Sequence, residues 1–327
     1  MIKHLTSMPS ELLFTAFMVA ITLCLSVIFG LPIVVPTSGT AAFVGIHYLF
    51  PVLGVFVWAT IALLGQRRNL SGTLFLALPC YAVVLLAHFN IKLWLPLVNP
   101  ARFDAFYWAI DQKLGWLVTA CMDIRHALAF VLPLDQNFYM ISFIVLFYVS
   151  FCYHALRTPE VFRTLFLAAL FFQGLGALAY LPFPALGPFL YQPGIEASPT
   201  AAQQGMLGVH RDLMRGGADW LAREGGANIT AGLAAMPSLH SGGAFLFFLF
   251  AWRHAKVLVP LYSLILAYII IAAVANRWHY VIDIPAGIAL ALGSIRLADF
   301  LTRSEARQKK DAEHEALRGS QPDLQAT

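Results

Sequence analysis

Long, almost uninterrupted apolar stretches dominate this chain of 327 residues. Several run for about 20 residues, the length at which an α-helix crosses roughly 30 Å of hydrocarbon. The chain is 59% hydrophobic and only 12% charged, and that charged fraction is about half of what a soluble domain carries. Alternating ten-residue segments, the pattern of a transmembrane β-barrel, are absent. The sequence therefore predicts an all-α, polytopic membrane bundle.

The apolar stretches divide the chain into spans, and nothing in them indicates an internal repeat. Residues 1–303 are predicted to form a single transmembrane domain, and the polar residues 304–327 a cytoplasmic tail. We predict eight spans, over residues 12–35, 41–65, 72–97, 137–156, 161–182, 239–256, 258–276 and 280–302.

The basic residues predict the orientation. If the N-terminus is cytoplasmic, the short loops and termini on that side hold more than half of the 21 Lys and Arg residues, as the positive-inside rule requires. Both termini are then cytoplasmic, and residues 98–136 and 183–238 lie outside. The first segment interleaves aromatic and charged residues, which predicts an amphipathic helix at the interface. The second contains a predicted short helix at 208–223.

Two short polar motifs stand out against the apolar background. One is residues 236–242 (MPSLHSG), and the other is residues 276–283 (NRWHYVID). Apolar sequence separates them, broken only by the basic patch at 252–256 (WRHAK). A chain that crosses the membrane, turns at this patch and crosses back brings His240 and His279 to the same extracytoplasmic face.

These motifs contain the elements of phosphoryl transfer. His279 and Asp283 are four residues apart, so a helix would place them on one face. A carboxylate beside an imidazole fixes its tautomer, which leaves His279 free to attack phosphorus. His240 follows a predicted helix start and can protonate a leaving oxygen. Ionisable residues near a bilayer are costly and tend to be functional.

Phosphoryl transfer also needs groups that hold the non-bridging oxygens. Ser238 is a predicted N-cap, and free amides at a helix start attract anions. Basic residues close to the motifs or at the outer end of the third span are further candidates. The predicted phosphate-binding residues are Arg277, Ser238, Ser241, Lys92 and Arg211.

Two other interpretations use the same residues. His240, His279 and Asp283, with His210 added, could form a zinc site, because a close pair and a distant ligand are normal for zinc. A transporter or lipid-binding protein could instead use the histidines as a proton relay. Interrupted helices in matched halves would favour a transporter, and the sequence shows none. Nothing indicates a nucleic-acid partner.

The two motifs resemble a known family. Residues 237–241 (PSLHS) and 279–283 (HYVID) are similar to the second and third signatures of the type-2 phosphatidic acid phosphatase superfamily. Residues 180–188 (YLPFPALGP) are similar to the proline-rich stretch of the branch that contains inositol phosphorylceramide synthase and, more remotely, sphingomyelin synthase. The resemblance covers about residues 160–303, the expected catalytic core, and more weakly 98–116.

The resemblance implies a mechanism and a substrate class. His279 would form a phosphohistidine, Asp283 would orient it, and His240 would be the acid for the departing alcohol. The core would be a six-helix bundle made of the last six spans, with no metal or cofactor. The substrate would be a lipid phosphate or phospholipid from the bilayer, and the acceptor either water or an alcohol, including a lipid alcohol.

The chain departs from the phosphatase pattern in two places. The first signature, a lysine followed seven residues later by Arg-Pro, is matched only in part by Lys92 with residues 99–100 (NP). The arginine expected six residues before the third-signature histidine is replaced by Ala273. These departures favour a head-group transferase over a plain phosphatase.

Overall fold

The fold is entirely α-helical in the part of the chain that the computed structural model describes, residues 8–37, 68–131 and 138–319. These residues form ten α-helices and two short 3₁₀ helices, Pro188–Leu190 and Lys256–Leu258. The α-helices are α1 (Ser10–Phe29), α2 (Arg68–Val98), α3 (Asp104–Lys113), α4 (Gly115–Val131), α5 (Phe138–Arg157), α6 (Pro159–Ala179), α7 (Ala197–Asn228), α8 (Leu239–His254), α9 (Val259–Ala275) and α10 (Asp283–Gly319).

Six of the described helical segments are long and apolar enough to cross a membrane, which makes this a multi-pass membrane protein. They are Ser10–Phe29, Leu76–Val98, Phe138–Arg157, Pro159–Ala179, Lys256–Ala275 and Asp283–Asp311. Each corresponds to one of the eight predicted spans.

The two remaining predicted spans account for the difference in number. The span predicted at 41–65 lies outside the described residues. The span predicted at 239–256 is α8, which has only 16 residues and is therefore about 24 Å long. It is shorter than the hydrocarbon thickness, and it packs against α5, α6, α9 and α10.

Helix α6 is the centre of the bundle. It packs against α1, α2, α5, α8 and α10. Its small and aromatic side chains form a nearly continuous buried surface, so hydrophobic burial holds neighbours on every side of it. The buried α6 residues of the main core are Leu165, Phe166, Leu167, Ala168, Ala169, Leu170, Phe171, Phe172 and Ala177.

The segment predicted to form an interfacial amphipathic helix within 98–136 is two helices, α3 and α4. The carboxylates of Asp104 and Asp111 are buried, with 2% exposure each, whereas Phe106 and Trp116 are 62% and 71% exposed. Both carboxylates accept hydrogen bonds from neighbouring loops, which satisfies them inside the protein.

The helix predicted at 208–223 is part of a longer element. Helix α7 runs from Ala197 to Asn228, with a kink at Gly217, where φ is 51°. Only glycine adopts such a backbone conformation readily. The short predicted range reflects the distribution of charged residues along the segment, whereas the helix itself continues on both sides.

The first turns of α8 and α10 are in direct backbone contact. The amide of Ser238 donates to the carbonyl of Asp283 at 3.0 Å. A Cβ atom at Gly287 would lie 2.2 Å from the Ser238 carbonyl oxygen, and one at Gly242 would lie 2.4 Å from the Gly287 carbonyl oxygen. Glycine at both positions therefore allows the two helix starts to meet.

An ion-pair cluster ties the other end of the bundle together. Arg163, at the start of α6, donates two hydrogen bonds to Glu11, at 2.8 and 2.9 Å, and pairs with Glu305. Ser10 also donates to Glu305. Glu305 follows Asp283 by 22 helical residues, about 33 Å. The ion-pair cluster therefore lies far from the contact between α8 and α10.

The close backbone contact between α8 and α10 leads to a prediction about Gly287. In Gly287→Ala the new methyl group must displace backbone, so we expect unfolding to cost about 1–3 kcal/mol less and the thermal midpoint in detergent to fall. Gly293→Ala, in the same helix, is the matched control because nothing lies within 4 Å of its added Cβ. That control should be neutral or slightly stabilising. Equal midpoints for the two variants would contradict the close contact.

Candidate active site

His279 lies in the tight loop that joins α9 to α10, residues 276–282. The amides of Trp278 and His279 both donate to the carbonyl of Ala273, at 3.1 Å each. Arg277 has a left-handed backbone, with φ of 57°. This turn closes the end of α9 and directs the chain back so that His279 precedes the first residue of α10.

Asp283 holds the imidazole of His279. Its Oδ2 accepts a hydrogen bond from the amide of Tyr280 at 2.9 Å and lies 3.3 Å from Nδ1 of His279. Asp283 is fully buried. A carboxylate acceptor at Nδ1 places the proton on that nitrogen, so Nε2 carries the lone pair. The pair forms between a loop residue and the first residue of α10, since the helix begins at Asp283 and not at 280 as predicted.

His240 lies in the first turn of α8. Its ring packs edge-on against Tyr139 and Phe143, with centroid distances of 5.2 and 5.0 Å. Within the described residues its ring nitrogens have no hydrogen-bond partner. Ser238 occupies the predicted N-cap position but makes no side-chain cap bond; its hydroxyl instead donates to that of Ser241 at 3.1 Å.

His240 and His279 line the same cavity, which has a volume of about 480 Å³. The lining also includes His88 and Lys92 from α2 and Tyr180 from the loop after α6. Asp283 lies behind His279 and does not line the cavity. The structure therefore brings together the two histidines, with Asp283 in contact with one of them.

Lys92 is the one predicted phosphate-binding residue that lines this cavity. Among the described residues its ammonium group has neither a hydrogen bond nor an ion pair. His88, one turn earlier, donates from Nδ1 to the Gln173 carbonyl at 2.9 Å, because a carbonyl can only accept. The cavity thus contains a cation without a counter-ion, a feature of anion sites.

The other predicted phosphate-binding residues lie away from the cavity. Arg277 is fully buried and pairs with Asp111 at 2.8 Å. Ser238 and Ser241 are buried at the α8–α10 contact. Arg211 lies on an exposed part of α7, and His210, the fourth residue of the zinc interpretation, lines a separate small pocket.

The described residues contain no group of three or more His, Cys, Asp or Glu side chains arranged to hold a metal ion. The carboxylates of Asp283 and Asp111 instead accept hydrogen bonds from the amides of Tyr280 and Val281.

Tyr107, in α3, packs against Tyr280, the residue after His279. Burial, together with the charges of Asp283 and Asp104, raises the pKa of Tyr107 to about 12, so this phenol stays protonated beside the site.

Several site residues are absent from the sequence predictions. His88 precedes Lys92 by four residues. Two ionisable residues on one face of an apolar span are a pattern that predicts a functional site, so His88 could have been identified from the sequence. Tyr139 lines the cavity with a buried hydroxyl that has no partner in the described part of the chain. Asp104 and Asp111 are seven residues apart, and nothing local indicates that both face the protein.

One of the comparisons with known proteins identifies a family. The family model of the PAP2 superfamily matches residues 105–297, which is more than half of the chain and includes His240, His279, Asp283 and all of α3 except Asp104. No curated protein matches the chain, and no solved structure does. The superfamily resemblance of the two histidine motifs is confirmed, and the chain belongs to the PAP2 superfamily.

Proposed function

We propose that this protein is a membrane enzyme that transfers the phosphoryl or phospho-head-group of a lipid through His279. PAP2 membership supports phosphatase or phosphotransferase activity on lipids. The observation that carries the proposal is the shared cavity of His240 and His279, with Nδ1 of His279 held by Asp283.

The proposed reaction has two displacement steps. In the first, Nε2 of His279 attacks phosphorus, the bond from phosphorus to the leaving oxygen breaks, and His240 gives that oxygen a proton. In the second, an acceptor hydroxyl loses its proton to His240 and attacks the phosphohistidine, which breaks the P–N bond. Asp283 stabilises the positive charge that develops on His279 in the first step. No metal or cofactor takes part in this proposal.

The phosphate is proposed to lie between the histidines and Lys92. The ammonium group of Lys92 and the hydroxyl of Tyr139 are donors at the cavity without partners among residues 8–37, 68–131 and 138–319, and the first amides of α8 have no partner within their helix. Such donors stabilise the equatorial oxygens of a phosphoryl group. Lys92 would then supply the charge that the superfamily arginine, replaced by Ala273, would otherwise provide.

The walls of the cavity support a lipid substrate. Much of the lining is apolar and comes mainly from α2 and α5, the chemistry expected around acyl chains. Its apolar and aromatic members include Leu85, Phe89, Met140, Phe143, Ile144 and Phe147.

The polar part of the cavity lining supports an alcohol acceptor. Glu196, Ser198, Thr230 and Asn276 belong to it. The buried Oδ1 of Asn276 has no hydrogen-bond partner in the described ranges, so it can accept a bond from a hydroxyl group. We therefore favour a head-group transferase similar to inositol phosphorylceramide synthase. A lipid phosphate phosphatase, with water as acceptor, is the alternative.

Replacement of the histidines tests the reaction. We expect His279→Ala to lower turnover of phospholipid substrates by at least about 10³-fold, because the nucleophile is lost, and His240→Ala by about 10²–10⁴-fold. His314→Ala, in the exposed end of α10, is the control. Product analysis with and without alcohols separates transfer from hydrolysis. Unchanged turnover in His279→Ala would remove the nucleophile from the proposal.

Anion binding tests the role of Lys92. Removing a charged hydrogen-bond donor costs about 1.5–3 kcal/mol, so Lys92→Met should weaken orthovanadate inhibition roughly 10- to 100-fold. The matched control is Lys113→Met, because Lys113 is exposed at the end of α3. Equal inhibition constants in the two variants would assign the phosphate to other donors.

We propose that the site faces the extracytoplasmic side and that both termini are cytoplasmic. Support comes from Ser10 and Glu305, which meet at the end of the bundle opposite His279. In a background without the exposed Cys24 and Cys152, an impermeant maleimide should label Lys113→Cys in intact cells, and Lys309→Cys only after permeabilisation. The reverse labelling pattern would invert the orientation.

A further inference from the structure

Helix α3 contacts the His279 loop on both sides of the histidine through a single carboxylate. Oδ2 of Asp111 pairs with Nη2 of Arg277 at 2.8 Å, and Oδ1 accepts a hydrogen bond from the amide of Val281 at 2.8 Å. Arg277 is two residues before His279, and Val281 is two residues after it. Both oxygens of Asp111 are thus used to bracket the proposed nucleophile.

A second carboxylate of α3 extends this support. Oδ1 of Asp104 accepts a hydrogen bond from the Tyr280 hydroxyl at 3.0 Å and from the amides of Leu186 and Gly187, also at 3.0 Å. Tyr280 is the neighbour of His279, and its side chain is fully buried. Asp104 therefore ties the residue beside His279 to the proline-rich loop that follows α6.

The Asp111–Arg277 pair is fully inside the protein. Arg277 is 0% exposed and Asp111 is 2% exposed. Two buried charges lose their hydration, so such a pair is weak evidence for added stability, whereas loss of one partner leaves an uncompensated charge. The Arg277 guanidinium also lies over the ring of Trp108, 5.5 Å from its centroid, which holds it against α3 and away from the cavity.

The backbone of Arg277 adds a further constraint. Its φ of 57° is unfavourable for a residue with a side chain, and such a conformation persists where surrounding contacts determine it. The contacts here are the ion pair with Asp111 and the hydrogen bond that the amide of Phe189 donates to the carbonyl of Arg277 at 3.2 Å. Without the ion pair, the turn before His279 can relax to an ordinary conformation.

We propose that Asp104 and Asp111 are positioning residues that hold the His279 loop, and that Arg277 anchors this loop to Asp111 and is not a phosphate ligand. The inference rests on the proposed role of His279 as nucleophile. A displacement of about 1 Å can reduce an enzyme's rate by about 10²-fold. We call the contacts of Asp104 and Asp111 with the His279 loop the brace. The brace is expected to affect the rate of the chemical step, whereas substrate and anion binding depend on the residues that line the cavity.

The test separates positioning from stability and from phosphate binding. We expect Asp111→Asn and Arg277→Met each to lower kcat roughly 10- to 100-fold, with KM and the vanadate inhibition constant within about twofold of the wild type. Asp111→Glu, which keeps the charge, should recover part of kcat. The double variant Asp111→Leu/Arg277→Met leaves no unpaired charge, so its thermal midpoint should recover while kcat remains low.

The control is the ion pair at the opposite end of the bundle. Glu11→Leu/Arg163→Met removes a partly exposed ion pair that lies far from the cavity, so kcat should stay within about twofold of the wild type. A double Asp111/Arg277 variant with wild-type kcat would overturn the proposal. So would an Arg277→Met variant that loses vanadate binding while Asp111→Asn retains it, because Arg277 would then be a phosphate ligand.

The same assay distinguishes failure of the brace from failure of the proposed function. If His279→Ala is inactive and the Asp111 variants are fully active, only the brace is wrong. If His279→Ala remains active, the nucleophile is wrong, whatever the Asp111 variants show.

Discussion

The site depends on the backbone contact between the first turns of α8 and α10. The Ser238 amide donates a hydrogen bond to the Asp283 carbonyl at 3.0 Å. At Gly242 and Gly287 the two backbones are so close that an added Cβ atom would clash with the other helix. His240 is two residues after Ser238, and His279 is bound to Asp283. One close contact between backbones therefore determines where both histidines lie, and α6 packs behind both helices to keep them there.

The sequence predicted those features that are encoded locally. Six described spans follow from their length and apolar composition, and the two histidine motifs are recognisable as short polar segments in apolar surroundings. Other features depend on contacts distant in sequence. Asp111 meets Val281, 170 residues later, so the sequence of residues 98–136 predicts an amphipathic helix but not the loops that Asp104 and Asp111 contact. Arg277, a candidate phosphate ligand by proximity to His279, points instead to Asp111.

The proposed chemistry divides between two layers of this architecture. The cavity supplies the reacting groups, His240 and His279, and the phosphate-binding group, Lys92. Helix α3, outside the cavity, supplies the carboxylates that hold the loop behind His279. In this account the chain, which lacks the superfamily arginine at Ala273, holds the phosphate from α2 and the nucleophile from α3.

A structure of the protein with bound orthovanadate would test the central claim most directly, because vanadate adopts the geometry of a phosphoryl group in transfer. The account predicts vanadium bonded to Nε2 of His279, with the His240 ring in hydrogen-bond contact with an apical oxygen and Lys92 beside the equatorial oxygens. Vanadate bound away from His279, or contacted by only one of the two histidines, would contradict it.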